Sequence, residues 1–171
     1  WTTVNDAKTA NLGFDSLAVH PTDPQIVYAG AWGGGVYKTS DGGASWVQLS
    51  GGLPAGPVTV SVISLDPLSP DVVLVGTSSG LFQSKDGGAS WLQLSAGLTP
   101  ETKITDVVFD PMHPGVIYLG TAVEGVFYST DGGQTFLPLR PGMEIAGGNL
   151  PVSHLALSGD GSVLSAGPSG H

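Results

Sequence analysis

The chain contains no cysteine and very few cations. Four lysines and one arginine, Arg140, stand against 14 carboxylic acids, giving a net charge of −9. Without thiols there are no disulfides, zinc–thiolate centres or cysteine nucleophiles. Five scattered cations build no basic patch, so neither nucleic acid nor an anionic membrane surface is expected as a partner. The acidic surplus suits a soluble surface and tolerates neutral or cationic ligands. No apolar run approaches the roughly 18 residues that a membrane-spanning helix needs, and no segment shows a helical period. Charged residues make up only 11% of the 171, hydrophobic residues 40%, and there are 27 glycines and 13 prolines. That is the balance of a turn-rich, strand-rich globular chain. It begins at Trp1 rather than Met. With few lysines and many Gly, Ser and Thr, this leads to the expectation of an exported, extracytoplasmic or secreted protein.

One string recurs every 45 residues. It reads Thr39-Ser-Asp41-Gly-Gly43-Ala-Ser45-Trp46, then Ser84-Lys-Asp86-Gly-Gly88-Ala-Ser90-Trp91, then Ser129-Thr-Asp131-Gly-Gly133-Gln-Thr135-Phe136. Three further segments keep the same period. An apolar stretch runs into a Pro turn at His20-Pro21, Asp66-Pro67 and Asp110-Pro111. A second ends in Gly30, Gly76 and Gly120, and a third begins after Gly35, Gly80 and Gly125. The aromatic of the string opens a fourth. Each unit thus predicts four short strands separated by Gly, Pro and Asp turns. A period of this length built from hairpins predicts an all-β propeller assembled blade by blade.

The chemistry of the string suits a tight turn between the third and fourth strands. Asp accepts nearby backbone N–H groups, the Gly pair adopts positive φ, and the Ser or Thr hydroxyls tie the hairpin. The Trp or Phe is expected to pack between units. Asp41, Gly43 and Trp46, Asp86, Gly88 and Trp91, and Asp131, Gly133 and Phe136 are therefore read as structural. Metal binding is the sharper alternative and is disfavoured, because one carboxylate per string falls short of the several oxygens calcium requires. No metal and no cofactor is expected.

The string resembles the Asp-box, or bacterial neuraminidase, repeat. That repeat occurs in sialidases, xyloglucanase-type glycoside hydrolases, sortilin-like receptors and photosystem II assembly factors. The longer pattern, seen at Asp110-Pro-Met-His-Pro114-Gly-Val-Ile-Tyr118-Leu-Gly-Thr121 and running through Gly125-Val-Phe127 into the box, looks most like the xyloglucanase and exported-repeat branch. The resemblance covers about residues 15–139. It implies a propeller whose boxes lie on the face opposite any active site.

The whole of 1–171 is read as one partial propeller domain, with repeats at about 1–45, 46–90, 91–135 and 136–171, the last incomplete. Val152-Ser-His-Leu-Ala-Leu157 and Ser162-Val-Leu-Ser-Ala166 are the expected inner strands of that last unit. Trp1-Thr-Thr-Val4 aligns with the fourth strand at Trp46, and the tail from Gly167 is expected to be flexible. Three and a half blades leave open strand edges. Either the chain is part of a larger propeller, or two copies complete each other by self-association.

The face away from the boxes is expected to carry Asp15, Trp32, Asp106, Glu124 and His154, with Glu101, Lys103 and Glu144 nearby. Trp32 stands in Gly30-Ala-Trp-Gly-Gly-Gly35, where the matching loops have Ser78-Ser79 and Ala122-Val123, so the fold does not require it. An exposed Trp beside carboxylates stacks a sugar or holds a cation; the other reading packs it on a neighbouring loop or a partner subunit. Asp15, Asp106 and Glu124 could supply the acid and base of a glycosidase, or serve as rim charges and strand-end caps. His154 reads as an edge histidine. Sialidase chemistry is disfavoured, because its arginine cluster has no counterpart beyond Arg140. No Gly-x-Ser-x-Gly stands in a strand-to-helix context, and the glycine runs precede strands rather than helices, so neither a nucleophile elbow nor a phosphate loop is read here. The leading expectation is a non-catalytic module binding a protein partner or glycan through this face. The alternative is a piece of a xyloglucanase-like glycoside hydrolase.

Overall fold

A computed structural model describes residues 9, 12–99, 102–139 and 151–168. Among them there is no helix. Three four-stranded antiparallel sheets follow one another, with strand order matching chain order. Blade 1 comprises β1 (Phe14–Val19), β2 (Val27–Ala31), β3 (Gly35–Thr39) and β4 (Val47–Leu49). Blade 2 comprises β5 (Val60–Leu65), β6 (Val73–Thr77), β7 (Gly80–Ser84) and β8 (Leu92–Leu94). Blade 3 comprises β9 (Ile104–Phe109), β10 (Ile117–Thr121), β11 (Val126–Ser129) and β12 (Leu137–Pro138). The fourth unit is a two-stranded half-blade, β13 (Val152–Leu157) and β14 (Leu164–Pro168). The fold is an all-β partial propeller of about three and a half blades.

Registers repeat as closely as the sequence does. Ser16, Val62, Asp106 and His154 pair with Gly30, Gly76, Gly120 and Gly167, each just after a register shift in the innermost strand pair. The shift bulges out Asp15, Ser61, Thr105 and Ser153 in turn, re-aiming that side chain. One expected boundary moves. The second strand of the half-blade runs Leu164–Pro168 rather than 162–166, so Gly167 belongs to the sheet and not to a flexible tail. Among the described residues β14 is the outer strand of its sheet, a position that tolerates proline. The expected strand at residues 1–4, together with Glu101, Arg140 and Glu144, lies outside the described residues.

The Asp-Gly-Gly turns behave as their chemistry requires. Asp41, Asp86 and Asp131 each accept the hydroxyl two residues upstream through Oδ1 (2.7, 2.7 and 2.8 Å). Each also accepts the backbone N–H four residues downstream (2.9 Å in all three) and that residue's hydroxyl through Oδ2 (2.6, 2.5 and 2.5 Å). The upstream hydroxyl in turn accepts from the N–H of Gly43, Gly88 or Gly133 (2.9, 2.7 and 2.9 Å). Those glycines sit at φ of 96, 94 and 88°, where a Cβ would be strained. The downstream Ser or Thr hydroxyl is the largest influence in lowering the three Asp pKa values to about 2.

The boxes and the Pro turns share one face, because Gly42, Gly87 and Gly132 donate to the carbonyls of Gln25, Asp71 and Gly115 (3.0, 2.9 and 3.0 Å). His20 replaces the turn Asp without loss of function in the turn. Its Nδ1 accepts from Asp23 N (3.2 Å), where Asp110 Oδ1 accepts from His113 N (3.1 Å).

The core lies between blades rather than within them. Tyr28 and Val36 of blade 1 meet Ile63, Val75, Phe82 and Trp91 of blade 2. Leu74 and Leu81 meet Val107, Leu119, Phe127 and Phe136 of blade 3. Val126, Val108 and Tyr118 meet Val152 and Leu155 of the half-blade. Trp91 and Phe136 are thus wedges between units. Trp46 holds the same place in blade 1, stacked on Phe14 (centroids 6.4 Å apart), which meets Tyr37 edge-on at 6.1 Å. Polar stitches add to the seams. Tyr28 Oη and Lys38 Nζ donate to the Gly87 carbonyl (3.0 and 3.1 Å), and Gln83 Nε2 donates to that of Gly132 (3.1 Å).

The linkers between blades run in two parts. Their first halves pass along the outside to the next box aromatic, where Gly51 O accepts Trp91 N (2.7 Å) and Ala96 O accepts Phe136 N (2.9 Å). Only their second halves reach the far face. The aromatic's own N–H, left out of the sheet ladder, needs an acceptor, and the outgoing chain supplies it.

Candidate functional site

The face away from the boxes is built from the loops between second and third strands and from the ends of the linkers. In blade 1 the Ala31–Gly35 turn is held on every side by its backbone. Trp32 N donates to Gly13 O (2.8 Å), Gly35 N to Val58 O (2.9 Å), and Gly33 N to Thr59 Oγ1 (3.1 Å). Gln48 Nε2 closes the turn on Gly34 O (2.8 Å). Gly33 and Gly35 take φ of 68 and 74°, which lets the chain reverse within three residues. The turn itself contributes only main-chain groups to this holding, so the indole of Trp32 is left out in solvent, 73% exposed. Behind the turn, between blade 1 and the linker that leaves it, lies a cleft of about 60 Å³ lined by Gly33, Gly34, Gln48, Leu53, Pro54 and Val58. It has room for a water or two, or for the end of one side chain.

The structure separates the other candidates by what already occupies them. Asp106 is spent on the fold: its Oδ1 accepts Val107 N (2.8 Å) and its Oδ2 accepts Leu155 N of the half-blade (2.7 Å). Glu124 Oε2 accepts the Thr102 hydroxyl (2.6 Å), and Glu124 N donates to Thr121 Oγ1 (2.9 Å). This ties the blade 3 loop to the linker before it, alongside Ala122 N to Lys103 O (3.0 Å). Asp15 is exposed on the bulge of β1, and His154 is exposed at the corresponding end of β13. Asp15 and Asp106 therefore stand at different positions of their strands, one bulged and one in register, and are not two copies of one functional carboxylate. Among the described residues no group of three or more His, Asp or Glu is placed to hold a metal ion.

Val123 is a surface group that residue types alone did not single out. It stands in the blade 3 loop matching that of Trp32 and is also 73% exposed. The signal was there in the alignment of the repeats, where an apolar residue replaces Ser79 in a loop whose backbone needs none.

No family model and no curated protein matches the sequence. Solved structures do match in fold. An ancestral GH74 enzyme superposes with a TM-score of 0.72 at 22% identity, over 96% of this chain and 22% of its own. YCF48 from Cyanidioschyzon merolae gives 0.68 at 18% identity, over 94% of this chain and 52% of its own. A structure of YCF48 bound to D1 peptide gives 0.67 at 15%, over 95% and 53%. The chain therefore spans about a fifth of the enzyme and about half of YCF48. Together with the sheets and registers above, these similarities place it among the β-propellers.

Proposed function

We propose that the chain works as a non-catalytic β-propeller module of the Asp-box kind, exported, that binds a protein segment or a glycan through the face opposite the boxes. The observation that carries this reading is the division of labour on that face. The carboxylates that could act as acid and base, Asp106 and Glu124, accept hydrogen bonds that join one part of the fold to another. Trp32, which the fold does not use, is presented on a rigid turn. A rigid exposed aromatic loses little entropy on stacking against a sugar face or a peptide side chain, and Trp is enriched among residues that dominate binding energy. That a YCF48 structure holds a D1 peptide favours a peptide ligand over a glycan.

The test is Trp32→Ala, assayed by retardation in gels loaded with soluble β-glucans and on an array of extended peptides. Loss of a dominant aromatic costs about 2 kcal/mol, so the probe retained by the wild type should bind about 30-fold more weakly with the melting temperature unchanged. Full retention of binding by the variant would refute the role of this face. The second reading, a piece of a glycoside hydrolase, draws on the GH74 similarity. It requires hydrolysis that Asp15→Asn or Asp106→Asn abolishes.

A further inference from the structure

Two of the three internal junctions are closed by a hydroxyl on the bulge of the inner strand. Between blades 2 and 3, the bulged Ser61 donates to the carbonyl of Ile104, the first residue of the next inner strand (2.9 Å), and to that of Gly76 (3.1 Å). Between blade 3 and the half-blade, Thr105 donates in the same way to the carbonyl of Val152 (2.5 Å). Between blades 1 and 2 the bulged residue is Asp15, and Val60 holds the register place of Ile104 and Val152. An ionised carboxylate has no proton to give. Asp15 is exposed, and among the described residues its side chain has neither a hydrogen bond nor an ion pair. Beside it the Ser16 hydroxyl is buried without a partner. This junction lies inside the described blades, and a donor is what it lacks.

Trp32 stands at the same end of the same strand pair. Its N–H is bonded to Gly13 O (2.8 Å), and Asp15 follows two residues along from Gly13. That is the spacing of diagonal neighbours across an antiparallel pair, roughly 7–8 Å, which long side chains bridge. The chain itself shows how such a pair holds a lysine. Lys38 Nζ lies 5.0 Å from the centre of the Tyr28 ring and donates to the Gly87 carbonyl (3.1 Å). An aromatic face and an oxygen together suit an ammonium group, and Trp offers the strongest such face. Trp32 and Asp15 repeat that combination in solvent, with a full negative charge in place of the carbonyl. The described lysines stand elsewhere: Lys38 is engaged with Tyr28, Lys85 belongs to the second box, and Lys103 precedes β9 one junction further on.

We propose that Asp15 and Trp32 form one subsite, which takes the lysine side chain of a bound protein segment. The stem of the lysine lies along the indole, and its ammonium donates to the Asp15 carboxylate, at the position where the other junctions carry a hydroxyl donor. The net charge of −9 favours the approach of such a segment. The inference rests on the protein-segment reading of this face and adds to it the residue recognised.

The probe is the methylamide of Nα-acetyl-lysine, titrated while the Trp32 indole N–H is followed in proton–nitrogen spectra and identified by its loss in Trp32→Ala. The lysine derivative should shift that signal saturably, and the norleucine derivative, which has the stem without the charge, should not. Asp15→Asn should weaken the response about tenfold, as loss of one charge-assisted hydrogen bond does. Asp15→Thr supplies the hydroxyl found at the other junctions. It should abolish the response and, by closing on the Val60 carbonyl, raise the melting temperature by about 2–4 °C. No response to the lysine derivative, an equal response to both derivatives, a response untouched by Asp15→Asn, or a melting temperature lowered by Asp15→Thr overturns the proposal. Each of these results leaves the reading of the face to its own test, the loss of peptide or glucan binding in Trp32→Ala, so the two fail separately.

Discussion

Trp91 offers the sharpest check on how the blades are held. Its indole is buried between Tyr28 and Val36 of blade 1 and Phe82 of blade 2, while its backbone N–H is taken by Gly51 O at 2.7 Å. Trp91→Ala removes the wedge but keeps that backbone bond, so the loss is one of packing. Deleting a large buried aromatic costs about 3–5 kcal/mol. For a chain of this size each kcal/mol lowers the melting temperature by about 2–4 °C, so the midpoint should fall by about 6–20 °C. The indole Nε1, however, is buried with no hydrogen-bond partner. An unpaired buried donor costs about 1–3 kcal/mol, and Trp91→Phe abolishes that cost while keeping a six-membered ring in the seam. The smaller ring forfeits packing of similar size, so Trp91→Phe should lie within about 1 kcal/mol of the wild type. Phe136, in the same place in blade 3, already uses the smaller ring. Thermal and urea melts followed by circular dichroism read both variants. If Trp91→Phe proved as damaging as Trp91→Ala, the indole N–H would have a partner and the reasoning would fail. If Trp91→Ala cost under about 1 kcal/mol, the aromatic would not be a wedge.

Acid should weaken the protein in a defined window. The folded-state pKa values of Asp41, Asp86 and Asp131 are about 2, below the ordinary 3.8, so their stabilisation is present above the ordinary value and is lost as pH falls through the folded one. The urea midpoint should hold down to about pH 5 and drop between about pH 4 and 2, with Asp86→Asn reducing the drop; a flat profile down to pH 2 would contradict it. Asp106→Ala frees the Leu155 N–H at the seam between blade 3 and the half-blade. Hydrogen exchange at Leu155 should speed up by at least tenfold, the equivalent of about 1.4 kcal/mol, while exchange at Val75 in blade 2 stays as it was. Equal protection at Leu155 in variant and wild type would show that Asp106 does not hold the seam.

What the sequence by itself determined is whatever repeats. Forty-five residues between Asp41, Asp86 and Asp131, with Gly, Pro and aromatic residues in step, specify four strands per blade, the turns that carry positive φ and the face on which the boxes lie. These follow from local chemistry: an Asp that collects three donors from residues no more than four positions away needs no distant partner. Tertiary structure alone decided what each face residue is free to do. Asp15 and Asp106 look equivalent as acids near the start of an inner strand. A one-residue bulge nevertheless leaves Asp15 in solvent and sends Asp106 to the backbone of the next blade 49 positions away. Residue types also gave no reason to send the linkers past Trp91 and Phe136 on their way to the far face, because the acceptors there are plain carbonyls. Gly167 shows the limit from the other side. It shares the register of Gly30, Gly76 and Gly120, each of which is pressed against the next blade, while among the described residues no blade stands against Gly167. A side chain's job in a propeller depends on what the adjacent blade brings to it, and that contact is made across the seam, where no local pattern reaches.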